Sequence, residues 1–186
     1  LKFRDDIRKY GSGNAGMTNM LRTYGKKAAS FTFLGDAVKA ALAIAVGGLI
    51  NGVIGAYTAG FFCILGHMFP VFYKFKGGKG VVTSAVMILM LDWRVFLILA
   101  AIFFSIVLST KYMSLGSIMG ILIYPLILYN FNGPGVSILI ALAVSALVVF
   151  MHRENIKRLL EHRENKISFG SKKPKTDKGG ETSGKE

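Results

Sequence analysis

Three stretches of this sequence carry fixed positive charge among polar residues, two of them rich in glycine, a combination suited to gripping phosphate. The first is Gly11-Ser12-Gly13-Asn14-Ala15-Gly16-Met17-Thr18-Asn19, with Arg22 three residues further on. Glycines let the backbone turn tightly and approach a ligand closely, and successive amides can then form a nest for an anion. Ser12, Asn14, Thr18 and Asn19 add short hydrogen-bonding side chains, and Arg22 adds a planar fork that matches phosphate oxygens. Gly11-x-Gly13-x-x-Gly16 also spells the dinucleotide fingerprint. That reading fails because no strand precedes it and no alternating strand–helix pattern follows. On this segment alone, a flexible loop beside a membrane is the plain alternative.

The second stretch is Gly66-His67-Met68-Phe69-Pro70, followed by Phe75-Lys76-Gly77-Gly78-Lys79-Gly80. Lys76 and Lys79 among these glycines again suit a phosphate. It is not a Walker loop, because Lys79 is followed by glycine and the upstream glycine spacing is wrong. Lys79, wedged between glycines just before an apolar helix, is the better site candidate. Lys74 reads as a topology anchor, and His67, near a membrane boundary, serves equally well as a structural hydrogen-bonder. In the third stretch, His152 and Asn155 share one face of a helix, with Ile156, Leu159 and Leu160 near it. Arg153 and Lys157 are expected to face water or anionic headgroups. Three histidines, one cysteine and no carboxylate cluster give no metal-ligand set, so neither metal nor cofactor is expected. Spacing alone assigns no nucleophile–base pair. Cys63, the single cysteine, lies in an apolar run and can form no internal disulfide.

The elements that must position these loops are apolar. The chain has 186 residues, 52% of them hydrophobic and only 18% charged, below the usual quarter of a soluble domain. A soluble chain this apolar would expose large greasy patches and aggregate. The charges cluster at residues 2–27, at 74–79 and after Met151, with long, nearly uncharged runs between. That is the pattern of an all-α, polytopic membrane helix bundle. The net charge of +13 suits an anionic substrate or an anionic membrane face. Nucleic acid is excluded as a partner, since half the chain is too apolar to sit in water.

Apolar runs occupy residues 28–50, 53–70, 81–109, 115–129 and 136–150, with turn signals at Asn51-Gly52 and at 130–135. One span over 81–109 would bury Asp92 and Arg94 near mid-bilayer, at roughly 2.5–3.5 kcal/mol each. A hairpin with Asp92-Trp93-Arg94 at its tip removes that cost and puts Trp93 at an interface. Six passes in three hairpins result. Seven Lys/Arg precede the first pass, three lie at 74–79, one at Lys111 and ten after Met151, whereas the three short turns hold only Arg94. Every basic loop therefore falls on one side, which the positive-inside rule makes cytoplasmic. Residues 1–169 read as one membrane domain and 170–186 as a basic, disordered tail. No signal peptide opens the chain. It begins at Leu1 in a charged stretch, so an upstream piece is expected.

Residues 11–22, 66–83 and 152–166 resemble the three motifs of the bacterial PlsY family, the acyl phosphate:glycerol-3-phosphate acyltransferases, and the likeness runs over residues 7–166. The resemblance implies transfer of an acyl group from acyl phosphate to the sn-1 hydroxyl of glycerol 3-phosphate, giving lysophosphatidic acid and phosphate in the inner membrane of a bacterial cell. It implies no cofactor, and an active site facing the cytoplasm. By motif position, Ser12, Arg22, Lys79, His152 and Asn155 are implied to line the substrate phosphates. Gly11, Gly13, Gly77 and Gly78 are implied to permit close approach. Asn14, Thr18, Asn19, Lys76 and Lys111 complete the expected binding set, with His67 and Glu164 in support. The family has seven membrane helices and an outward N-terminus. The helix before the first motif is absent here, so six of seven passes are expected. Met17 stands where the family usually has alanine, Lys111 where it commonly has arginine, and His162 near a common glycine.

Acyl phosphate carries its own good leaving group, so positioning and charge stabilisation are the main demands. Arg22 and Lys79 would hold phosphates, and Ser12 and Asn155 would orient donor or acceptor. His152 is either general base or phosphate ligand, the substrate's own phosphate being the other candidate base. Two other classes compete. A small-anion transporter would want polar groups deep in the helices, which only Asp36 and Lys39 approach, as a pair three residues apart. A non-catalytic basic membrane anchor would explain the tail but not the glycine-rich motifs.

Overall fold

The computed structural model describes residues 6–167, and the tail expected over 170–186 lies outside them. Its helices are α1 (Met17–Met68), α2 (Val81–Leu91), α3 (Trp93–Thr110), α4 (Met113–Asn132), α5 (Val136–Met151) and α6 (Arg153–Leu160). Single-turn 3₁₀ helices occupy Ile7–Lys9 and Val71–Tyr73, and no strand occurs among the described residues. The all-helical membrane architecture expected from the apolar runs is the architecture found.

α1 is not one rod. Gly25 (φ 82°) breaks it once, and Asn51 (φ −143°) with Gly52 (φ 54°) breaks it again. Gly52 takes a left-handed backbone at no steric cost, and the chain folds back on itself there. A Cβ on Gly55 would run into the Gly47 carbonyl, and one on Gly60 would come within 3.3 Å of Ile44. Residues eight and sixteen apart cannot meet along a straight helix, which rises about 1.5 Å per residue. Residues 26–50 and 53–68 are thus the two arms of the first hairpin. Asp92 ends α2 and caps α3 by accepting from the amides of Arg94 (3.1 Å) and Val95 (3.4 Å), the ordinary work of an N-cap aspartate. Gly133 (φ 68°) closes α4.

The turns share one end of the bundle. Arg94 pairs with Asp92 at 2.8 Å and lies 4.8 Å over the Phe131 ring. With its amide turned to face Asp92, Asn132 donates to Asp92 Oδ2 at 3.1 Å. Trp93 is exposed beside them. The core holds Ile44, Tyr57, Ile64, Met87, Val95, Tyr124 and Val144. Outward-facing Leu49, Phe62, Leu97, Phe104, Leu126 and Leu139 are more than half exposed, a coat for lipid rather than water.

By length and composition α1, α3 and α4 each reach membrane-spanning size, and α5 with α6 makes a pair bent by 57°. α2, at 11 residues, rises about 16 Å, short of a core about 30 Å thick.

Candidate active site

The three stretches meet at the end of the bundle opposite those turns, and hydrogen bonds join them in pairs. Arg8 Nη1 donates to the carbonyls of Tyr73 and Lys76, each at 3.2 Å, and its guanidinium lies 4.9 Å over the Tyr73 ring. That ties the first stretch to the second. Lys79 Nζ donates to Asn155 Oδ1, tying the second to the third. Arg22 Nη2 donates to the Asn165 carbonyl at 3.2 Å, tying the first to the third.

Between them opens a cavity of about 420 Å³. Its walls include Ser12, Asn14, Thr18, Asn19, Arg22, His67, Lys79, His152, Asn155 and Glu164 from the expected set. Gly11, Gly13, Lys76, Gly77, Gly78 and Lys111 do not line it. Four other glycines do, Gly16, Gly80, Gly116 and Gly120; Gly16 and Gly80 are the N-cap residues of α1 and α2, and neither helix has a side-chain cap. The amides of a helix's first turn lack partners along the chain, and the macrodipole adds positive potential there. Two uncapped helix starts with Arg22 and Lys79 beside them make a chemically suitable place for an anion such as phosphate.

The glycines outside the cavity have another task. Gly77 and Gly78 donate their amides to Met68 O (3.1 Å) and His67 O (3.2 Å). A Cβ on Gly78 would strike the His67 ring, and one on Gly77 the His67 carbonyl. They let the loop lie flat on the end of α1 and so aim Lys79, rather than admitting a ligand themselves. Gly11 (φ 59°) plays the same part against Asn19, whose Oδ1 a Cβ there would strike. Asn19, 2% exposed, accepts from the Ser12 amide at 2.9 Å and donates to the carbonyls of Tyr10 and Asn14, each at 2.9 Å. Its amide is spent on holding the loop's shape. Lys76 offers its carbonyl to Arg8 and leaves its side chain exposed. Lys111 (φ 66°) caps α3, and its carbonyl accepts from Ile167 at 2.8 Å, anchoring the chain after the third motif.

That chain carries Glu164. Its Oε1 accepts from Ser114 Oγ (3.0 Å) and Asn155 Nδ2 (2.8 Å), and its Oε2 from Arg158 Nε (2.8 Å). Burial works to raise its carboxyl, but the Arg158, Asn155 and Ser114 bonds outweigh this and hold it below the usual range. Asn155, 5% exposed, thus bridges Glu164 to Lys79. Burial pushes the Lys79 ammonium down to about 8, with Arg158 and Arg22 adding to the effect and Glu164 opposing it. His152, 2% exposed, shares a hydrogen bond between its Nδ1 and the Val148 carbonyl at 2.7 Å. A carbonyl only accepts, so Nδ1 carries the proton and Nε2 is the nitrogen left for other work. His67 stands with Asp36 and Lys39: its Nδ1 lies 3.3 Å from Asp36 Oδ1 and 2.6 Å from Lys39 Nζ, which also reaches Asp36 Oδ1 at 2.5 Å. Arg153 and Lys157 are exposed, as expected.

Arg8, Ser114, Arg158 and the Asn165 carbonyl were not singled out by sequence reasoning. Arg158 and Asn165 carried a signal, both lying within the third motif, Arg158 six residues before a carboxylate. The others act through tertiary contact alone.

Fold and site together define an integral membrane helix bundle with a cationic pocket framed by two helix starts. Residues 1–162 match the family model described as Glycerol-3-phosphate acyltransferase. The chain belongs to this family. It is 45% identical over 165 residues to the glycerol-3-phosphate acyltransferase of Syntrophomonas wolfei, covering 89% of this chain and 85% of that protein. It is 43% identical over 162 residues to that of Thermoanaerobacter sp. strain X514, covering 87% and 82%. The crystal structure of PlsY (YgiH), an integral membrane glycerol 3-phosphate acyltransferase, in its glycerol 3-phosphate form superposes with a TM-score of 0.83 at 35% identity, over 89% of this chain and 84% of that one. Its lysophosphatidic acid form gives 0.78, also at 35% identity, over 85% and 82%.

Proposed function

We propose that this protein transfers an acyl group from acyl phosphate to the sn-1 hydroxyl of glycerol 3-phosphate, forming lysophosphatidic acid and inorganic phosphate, the first step of phospholipid synthesis. The observation that carries the reading is the pairing of Arg8, Lys79 and Arg22 with the partner loops. It draws three separate stretches around one cavity, polar and cationic at one end and apolar at the other. Family membership supplies the chemistry such a cavity would serve. Arg22, Lys79 and the starts of α1 and α2 hold phosphate and stabilise charge on the departing one. Ser12 and Asn155 orient the bound groups by hydrogen bonds. His152 presents Nε2 either as base for the attacking hydroxyl or as phosphate ligand.

The protein lies in the membrane. The distribution of Lys and Arg favours the cytoplasmic face of a bacterial inner membrane for the site, with six passes through residues 6–167. The decisive experiment is turnover by the purified protein in detergent or lipid. Acyl phosphate plus glycerol 3-phosphate should yield lysophosphatidic acid and phosphate in equal amounts. Folded protein that forms no lysophosphatidic acid overturns the assignment and leaves an anion transporter or a basic anchor.

A further inference from the structure

The cavity changes character along α2. At the start of the helix stand Lys79 and Gly80. One to two turns deeper, Ala85 and Ile88 face Phe96, Leu99 and Phe103 of α3. Gly80, Ser84 and Ile88 recur four residues apart on the lining face, so Ser84 sits about 6 Å below the one and 6 Å above the other. It stands where the phosphate-binding end gives way to the apolar slot.

Ser84 is 3% exposed, and its Oγ has no hydrogen-bond partner. The carbonyl one turn back, Gly80 O, already receives the Ser84 amide (2.8 Å) and the Thr83 hydroxyl (3.0 Å). Ser114, another buried serine on the cavity wall, is engaged by Glu164 at 3.0 Å. A buried hydroxyl without a partner costs stability and calls for a reason.

An acyl phosphate has its charge at one end, its tail at the other, and its carbonyl one bond from the bridging oxygen between them. With phosphate at Lys79 and the tail along Ala85 and Ile88, the carbonyl falls beside Ser84. We propose that Ser84 Oγ–H donates a hydrogen bond to the acyl carbonyl oxygen of the donor and stabilises the charge that develops there, helped by the positive start of α2. The proposal rests on the acyl-transfer reading. In the step it serves, the sn-1 hydroxyl oxygen forms a bond to the acyl carbon and the carbonyl π pair moves onto oxygen. That pair returns as the carbon–oxygen bond to phosphate breaks. The leaving phosphate takes the bonding electrons, and the hydroxyl proton ends on phosphate.

The test compares wild type, Ser84→Ala and Ser84→Cys, each in lipid. With carbonyl-¹³C acyl phosphate bound in the absence of glycerol 3-phosphate, the infrared carbonyl band should move to higher frequency in Ser84→Ala. kcat should fall tenfold or more, about 1.4 kcal/mol, with KM for glycerol 3-phosphate unchanged and thermal stability equal or higher. Removing a hydroxyl that only packs would raise stability without moving band or kcat. Should Ser84→Ala not fold, Ser84→Cys, a weaker donor of similar size, should show the same upward band shift. An unchanged band and kcat beside normal lysophosphatidic acid production overturn the role of Ser84 and leave the acyl-transfer reading intact. A wild-type protein that makes no lysophosphatidic acid overturns both.

Discussion

At the scale of single residues, the site depends on keeping a half-buried lysine charged. The Lys79 ammonium is pushed down to about 8, chiefly because burial disfavours its charge. A bound phosphate needs that charge. Affinity for glycerol 3-phosphate is therefore expected to weaken as pH rises through about 8, approaching tenfold in KM per further unit. Lys79→Arg, always protonated, should abolish this inflection in a KM–pH profile. Stability runs the other way. The folded value lies below the unfolded 10.5, so the unfolded chain binds more protons between the two, and stability rises with pH across that window. Glu164 carries a second expectation. Glu164→Ala strips the acceptor from Ser114, Asn155 and Arg158 at once, and should cost about 2–4 kcal/mol in unfolding measurements. Glu164→Gln keeps an acceptor for Asn155 but not the charge for Arg158, and should fall between.

At the scale of elements, the loops matter as much as the helices. His162 follows α6 with a left-handed backbone (φ 54°). The cost of that conformation for a side-chain-bearing residue is about 1–2 kcal/mol. Glycine removes the cost but adds freedom to the unfolded chain. His162→Gly is thus expected to stabilise the protein by about 0.5–1 kcal/mol in thermal or chemical unfolding, with kcat unaltered. Gly78 is the opposite case. It rests on the His67 ring, which Asp36 and Lys39 hold, so any side chain there must lift the loop that aims Lys79. Gly78→Ala should raise KM for glycerol 3-phosphate well above the wild-type value while leaving the helical content, read by circular dichroism, intact.

For the whole molecule, the expectation is one of sides. Gly13, Lys76 and Arg153 are exposed at the end that carries the cavity, and Trp93 and Asn130 are exposed near the turns. In a background with Cys63 replaced, single cysteines at the first three positions should react with an impermeant maleimide only from the cytoplasmic side. Those at the other two should react only from outside. Labelling of Lys76→Cys and Arg153→Cys from opposite sides would remove the shared pocket and the enzyme with it.

The sequence by itself determined the membrane class, the apolar segments, the turns between them and the three motifs, because each is written in local composition. Hydropathy, a helical period and a glycine beside a polar residue need no distant partner to be legible. Much of the polar end of the cavity wall was legible too: Ser12, Arg22, Lys79, His152 and Asn155 all line it. What each polar atom does was decided only by tertiary structure. Asn19 turned inward to hold its loop, Gly77 and Gly78 pack against α1 rather than a ligand, and Arg8 proved to be the clasp between two motifs. Such contacts join residues as far apart as Arg22 and Asn165, 143 positions along the chain. A hydrogen bond is settled by whichever groups come within about 3 Å, and no pattern along the chain records which groups those will be.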